Sequence, residues 1–217
     1  MDRNIARLLL FLIRLCFPTS VIKLFFRARF GGRFYVDQTR PYDQWEAAWI
    51  RQTLGSDSPE YQALPRYSVG KMSLDHNIIT DEGLDRILNV MLHGTTQTSP
   101  WYCGLFESDT AVDGSETYDV PVFTECTSYD EATRPEYNEA ASSSQSVTNS
   151  ANKAVFTISA SKTVYGAFLA SVSTKGDHTG GANNVLFCCA QFAAERIVVD
   201  DDVLNLTYSI SGADDGV

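Results

Sequence analysis

A nucleophilic or general-base site of the familiar kinds needs a histidine held by a partner, and the chain offers three, His76, His93 and His178. None stands in a recognisable catalytic motif. His93 precedes Gly94 at the end of a helical pattern, where a cationic side chain suits the negative end of the helix dipole. His178 lies in the Gly-rich stretch "STKGDHTGGANN" (173–184) and is expected to be solvated. The acidic stretch "ESDTAVDGSETYD" (107–119) places Asp109, Asp113, Glu116 and Asp119 around a glycine. Oxygen ligands on such a loop can wrap a hard cation, which makes calcium the one cofactor candidate, although the spacing departs from the D-x-[DN]-x-[DN]-G loop. A solvated hairpin loop is the competing reading. Asp200-Asp201-Asp202 falls between two strand patterns, where a tight turn would splay the carboxylates apart, so it is read as a charged turn.

The five cysteines, Cys16, Cys103, Cys126, Cys188 and Cys189, form no CxxC pair. Adjacent Cys188 and Cys189 would face opposite sides of a strand, so the set is expected to be small buried apolar residues in a reducing compartment. No Gly-rich phosphate loop is present, since "TKGDHTGG" lacks both the spacing and a following helix. With no residue set to carry a reaction, the expectation is a protein that is not an enzyme and that has no resident cofactor unless the acidic loop takes calcium.

The elements that would position these residues change character along the chain. Of the net charge of −10, residues 1–71 carry +5 (11 Lys and Arg, 6 Asp and Glu) and residues 72–217 carry −15 (6 and 21). An acidic body repels nucleic acid and anionic membranes, so proteins are the expected partners. In residues 1–35 the apolar run Leu8 to Ile13 is ended by Arg14, and Pro18, Lys23, Arg27 and Arg29 follow. A membrane span needs ~20 mostly apolar residues, so no transmembrane span is expected. A basic segment lying on a membrane surface and an upstream stretch without selected structure both remain open. A short helix is expected over 42–54, where Trp45, Trp49 and Ile50 share a face.

After Met72 the pattern becomes regular. Thr80 is an N-cap, Asp81 and Glu82 complement the first turn, and Leu84, Ile87, Leu88, Met91 and Leu92 recur at helical spacing before Gly94. The period then drops to two. "WYCGLF" (101–106), "VPVFT" (120–124), "KAVFTIS" (153–159), "TVYGAFLAS" (163–171), "NVLFCCAQF" (184–192), "ERIVV" (195–199) and "VLNLTYSIS" (203–211) read as strands, with turns at Ala160–Lys162, Ala193-Ala194 and Asp200–Asp202. The expected fold is mainly β: a jelly-roll-like antiparallel β-sandwich of about seven strands with one N-terminal amphipathic helix. The expected division is a basic, poorly structured leader or upstream extension over 1–71 and an acidic sandwich domain over 72–217, with Met72 as its natural start.

The order of short motifs carries one further signal. "HNIITDEGLDRILNVMLHG", "WYCGLFESD", "SYDEATRPEY", "GAFLASVSTKG" and "VVDDDVLNLTYSIS" follow a pattern that resembles a group of small virion-associated structural proteins of tailed bacteriophages and prophages, from about Met72 to Ile210. Its most specific pieces are Trp101-Tyr102-x-Gly104-Leu105, Tyr129 to Pro135, and Gly166 to Leu169 followed by Ser173 to Gly176. The resemblance implies a structural role in the virion, after synthesis in the host bacterial cytoplasm, and transfers no catalytic residues. Residues 1–71 have no counterpart in it. On that reading the partners are capsid or tail proteins and further copies of the chain, and Trp101, Tyr102, Tyr129 and Arg134 are the candidate contact residues. Tyr129 and Tyr137 read equally well as residues at the edge of the core. In "SYDEATRPEY", Arg134 with nearby carboxylates and Pro135 also suggests a rigid corner. Two rivals remain: a carbohydrate- or cell-surface-binding sandwich presenting Trp101, Tyr102 or Tyr165, and a host protein tethered to membrane by residues 1–35.

Overall fold

Burial of β-period residues organises the chain into two antiparallel sheets with few helices. The computed structural model describes residues 28–41, 44–56, 58–73 and 77–214. His76 and residues 1–27 lie outside them. The chain divides into two compact units, Met1–Phe30 with Gly212–Val217, and Gly31–Ser211. Only residues 28–30 and 212–214 of the first are described, as strand ends, and the second holds the apolar core that the two sheets share.

Among the described residues the elements run β1 (Ala28–Pro41), α1 (Gln44–Leu54), α2 (Pro59–Gln62), β2 (Arg66–Ser73), β3 (Ile78–Ile79), α3 (Asp81–Leu92), β4 (Tyr102–Phe106), β5 (Glu125–Cys126), β6 (Ser146–Thr148), β7 (Ala154–Thr157), β8 (Lys162–Ala170), β9 (Leu186–Val198) and β10 (Val203–Asp214). One sheet has the order β2-β1-β10-β6, with β7 also paired to β10, and the other β3-β9-β8-β4-β5. A single apolar cluster joins their inner faces. Phe34, Val36, Phe156, Leu204, Leu206 and Tyr208 come from the first sheet, and Leu105, Val164, Leu169, Cys188 and Val198 are among those from the second. No described helix is long and apolar enough to cross a membrane.

The glycines of β4 and β8 have a packing cause. Gly104 pairs with Phe168 and Gly166 with Phe106. Each phenyl ring lies over the glycine opposite, so that a Cβ at Gly104 would fall 2.1 Å from the Phe168 ring and one at Gly166 1.9 Å from the Phe106 ring. This cross-strand arrangement accounts for two of the most specific motif pieces without any reference to binding.

Three local expectations are corrected. Residues 120–124 form no strand, because side chains take their amides: Glu116 Oε2 accepts from Val122 N at 2.7 Å and Ser108 Oγ from Thr124 N at 2.8 Å. Ala193-Ala194 is not a turn. Strand β9 continues through it as a bulge, advancing from Gln191 to Arg196 while β8 moves only from Gly166 to Val164. The third correction concerns the described residues between 31 and 71, which are not a poorly structured extension. Phe34, Val36 and Gln38 alternate inward along β1, Phe34 stacks on Tyr208 with ring centroids 4.2 Å apart, and Met72 falls inside β2, paired with Val36.

Charge supplies the physical reason. Asp201 and Asp202 do not splay into solvent but are buried, and Asp200 is half-buried. Arg40 grips Asp202 through Nε–Oδ1 at 2.7 Å and Nη2–Oδ2 at 2.9 Å, and Gln38 Nε2 donates to Asp202 Oδ2 at 2.8 Å. Arg51 holds Asp200 through two bonds of 2.9 Å, Tyr61 donates to Asp201 Oδ1 at 2.7 Å, and Arg66 donates to the Asp201 carbonyl at 2.9 Å. Residues 31–71 are neutral as a stretch (5 Lys and Arg, 5 Asp and Glu), the +5 of the first 71 residues lying in residues 1–30, so individual arginines rather than a net charge join this stretch to the acidic turn. Phe34→Ala should cost about 3–5 kcal/mol in chemical denaturation, as for a fully buried aromatic side chain. A change within about 0.5 kcal/mol, typical of uncoupled surface positions, would return β1 to the status of a dispensable leader.

Candidate functional site

The sequence-derived contact residues divide into buried and half-buried ones. Arg134 is 1% exposed and Tyr129 2% exposed, so neither lies on a docking surface. Tyr137 is likewise in the core. Trp101 and Tyr102 are half-buried: the Trp101 ring meets Phe187 edge-on at 5.2 Å and Tyr102 bridges to Glu136.

Arg134 organises a buried polar node instead. Its Nε and Nη2 donate to Glu125 Oε1 and Oε2 at 2.8 and 2.7 Å, Nη1 donates to Tyr118 Oη at 3.1 Å and to the Val172 carbonyl at 2.8 Å, and Nη2 also donates to the Asp177 carbonyl at 2.9 Å. A guanidinium has five N–H donors in a fixed fork, and here all five are used. The rings of Tyr118 and Phe168 lie 5.6 and 5.3 Å from its Cζ. Glu125 Oε2 also accepts from Gly176 N at 2.8 Å. The node therefore staples the Gly-rich loop to β5 and to the acidic loop. His178 is part of it and is not solvated as expected: its Nδ1 is 3.1 Å from the Tyr118 carbonyl and its Nε2 3.2 Å from Glu125 Oε2.

Burial alone would push the Glu125 carboxyl up, but the hydrogen bonds and charge of Arg134, with His178 and the Gly176 amide, outweigh it and hold the group below its usual value. A depressed carboxylate stabilises the fold above its unfolded pKa, and that stability drains away as pH falls through the lower folded value.

The candidate metal ligands do not converge. Asp113 Oδ1 accepts from the Ser115 amide and hydroxyl at 2.8 and 2.6 Å, Asp109 Oδ1 accepts from Gln191 Nε2 at 2.6 Å, Glu116 is spent on Val122, and Asp119 Oδ1 accepts from Thr117 at 2.9 Å. Among the described residues no group of three or more His, Cys, Asp or Glu side chains is placed to hold a metal ion. Cys103, Cys126, Cys188 and Cys189 are buried free thiols, and burial pushes that of Cys188 up to about 12.

The surface feature that the sequence reading missed is on α3. Thr80 caps it, with Oγ1 accepting from Gly83 N at 3.1 Å and itself donating to the Leu186 carbonyl. Glu82 Oε2 accepts from Tyr118 N and Leu186 N at 3.1 and 3.0 Å. Gly83 lies so close to β9 that a Cβ would sit 2.2 Å from the Phe187 carbonyl oxygen. These contacts fix the roll of the helix with Gly83 and Ile87 inward. Leu84, Leu88, Met91 and Leu92 are left 39%, 54%, 72% and 81% exposed. They form one ridge, at i, i+4, i+7 and i+8. On a third side of the helix, Glu82, Asp85, Arg86 and Asn89 face residues 181–185 across a polar groove of about 410 Å³. The sequence pattern named the apolar positions; the close approach required at Gly83 was the signal that most of them point outward.

Comparison of the chain with protein-family models and with curated protein sequences finds no match to either.

Arg134→Met should destabilise the protein by about 3–5 kcal/mol, the cost of stranding a buried carboxylate. The stability difference between wild type and Glu125→Gln should hold steady above the usual glutamate range, at about pH 4.3, and shrink below it. Parallel pH profiles for the two proteins would remove Glu125 from that account.

Proposed function

We propose that this protein is a non-enzymatic structural component of a bacteriophage virion, a head decoration or a small fibre or tail part, that acts by docking on other virion proteins. The observation that carries the reading is the apolar ridge of α3, held outward by the contacts of Thr80, Glu82 and Gly83. Contiguous apolar patches of roughly a few hundred Å² on an otherwise packed body mark protein contacts. The motif order from Met72 to Ile210 supports the virion as the place where that contact is made. Repeated, symmetry-related positions on a particle would bring several copies into one assembly. We read the two sheets as a jelly-roll-like β-sandwich, since both supply one cluster and the chain changes sheet between β7 and β8 and again between β9 and β10.

The test is mass spectrometry of phage particles purified through a density gradient. Peptides of this chain should be present at a fixed ratio to the major capsid or tail protein, including peptides from residues 31–66. Presence in the lysate with absence from the particles would overturn the proposal.

The polar groove beside α3, with Asn89, Asn183 and Asn184 in its lining, favours a carbohydrate-binding module as the second reading. Binding on a glycan array that Asn89→Leu abolishes would support it, and an array without signal would dispose of it.

A further inference from the structure

We infer that the α3 ridge is the seat of a basic amphipathic helix belonging to another protein, an inference that rests on the reading of this chain as an assembly component and names the chemistry of its partner. The ridge is the width of a single helical stripe, and its four side chains repeat at the spacing an opposing helix presents. Its border sets the charge. Asp81 and Asp85 follow its edge on the helix surface, both exposed, and the last turn of α3 carries no basic residue. Arg86, the one cation of the helix, lies on the groove side with Glu82 and Asn89, and Asp85 stands between that groove and the ridge. An incoming helix with an apolar face flanked by Lys or Arg would cover Leu84, Leu88, Met91 and Leu92 and place its cations against Asp81 and Asp85.

A second copy fits this surface poorly. An antiparallel pair of α3 helices would set Asp81 and Asp85 of each against the last turn of the other, where the backbone end is negative and the C-cap His93 is the one basic side chain. Each copy would also bring the chain's net charge of −10 to the contact. An acidic helix partner meets the same repulsion.

The experiment uses the full chain and a fluorescein-labelled peptide of eighteen Leu and Lys residues patterned as an amphipathic helix, with a Leu/Glu counterpart and a scrambled Leu/Lys peptide as comparisons, read by anisotropy. The patterned Leu/Lys peptide should bind and the other two should not. Leu88→Gln with Met91→Gln, which leaves the charge unchanged at exposed positions, should weaken binding about tenfold or more. Asp81→Asn with Asp85→Asn should weaken it severalfold and flatten its dependence on salt. Unchanged thermal unfolding of both variants secures the comparison. Equal binding of the scrambled peptide, or no effect of the Leu88 and Met91 substitutions, would mean charge attraction spread over the whole surface and would overturn the inference. A dimer in sedimentation that the same two substitutions dissociate would overturn it in favour of a second copy. The assay needs no particle, so failure here with the protein present in virions removes only the partner assignment. Peptide binding by a protein absent from virions removes the virion reading instead.

Discussion

Everything in the described unit depends on a turn that would not be stable by itself, the three consecutive aspartates between β9 and β10. Asp201 takes a left-handed backbone with φ 68°, and Asp202 is fully buried. A run of carboxylates in such a place is costly unless each is neutralised where it stands. Arg40 and Gln38 on β1, Arg51 on α1, Tyr61 on α2 and Arg66 on β2 supply those partners. Burial pushes the Asp201 carboxyl up, with the Tyr61 hydroxyl and Arg51 pulling the other way. The turn thereby fixes the approach of β10 to β1, and the stack of Phe34 on Tyr208 is a consequence of that approach.

The Arg134 node is the counterpart of this clamp on the second sheet. One buried cation there holds β5, the acidic loop and the Gly-rich loop, while in the turn several cations hold one acidic run. In both cases most of the polar groups are satisfied within the chain. The chemistry-bearing residue types of this sequence are thus largely consumed by its architecture. Among the described residues an apolar ridge is left exposed on α3, where the hydrogen bonds of Thr80 and Glu82 prevent the helix from rolling it inward.

Much of the β body is legible from period alone. The alternation in "VLNLTYSIS" gives the buried row Leu204, Leu206 and Tyr208 of β10, and Thr80 with its following acids marks the cap of α3. The alternation of Phe34, Val36 and Gln38 is equally present, but summing charge on either side of residue 71 imitates a domain boundary, because the basic excess of residues 1–30 is spread over the neutral residues 31–71. Charge complementarity between distant segments has no local signature, so the pairing of Arg40 with Asp202 cannot be seen in one dimension. The same holds for Arg134, whose type suggests a contact residue until its burial is known, and for Asp109, Asp113 and Glu116, whose carboxylates accept from Gln191, Ser115 and the Val122 amide.

The central claim, that the arginines between residues 31 and 71 fold onto the acidic turn, is tested most directly by a double-mutant cycle on Arg40 and Asp202 in the full chain. Unfolding free energies of Arg40→Met, Asp202→Asn and the double variant should show a coupling of about 1–3 kcal/mol in favour of the native pair. Additivity within about 0.3 kcal/mol would mean that the two groups do not meet, and would contradict the account.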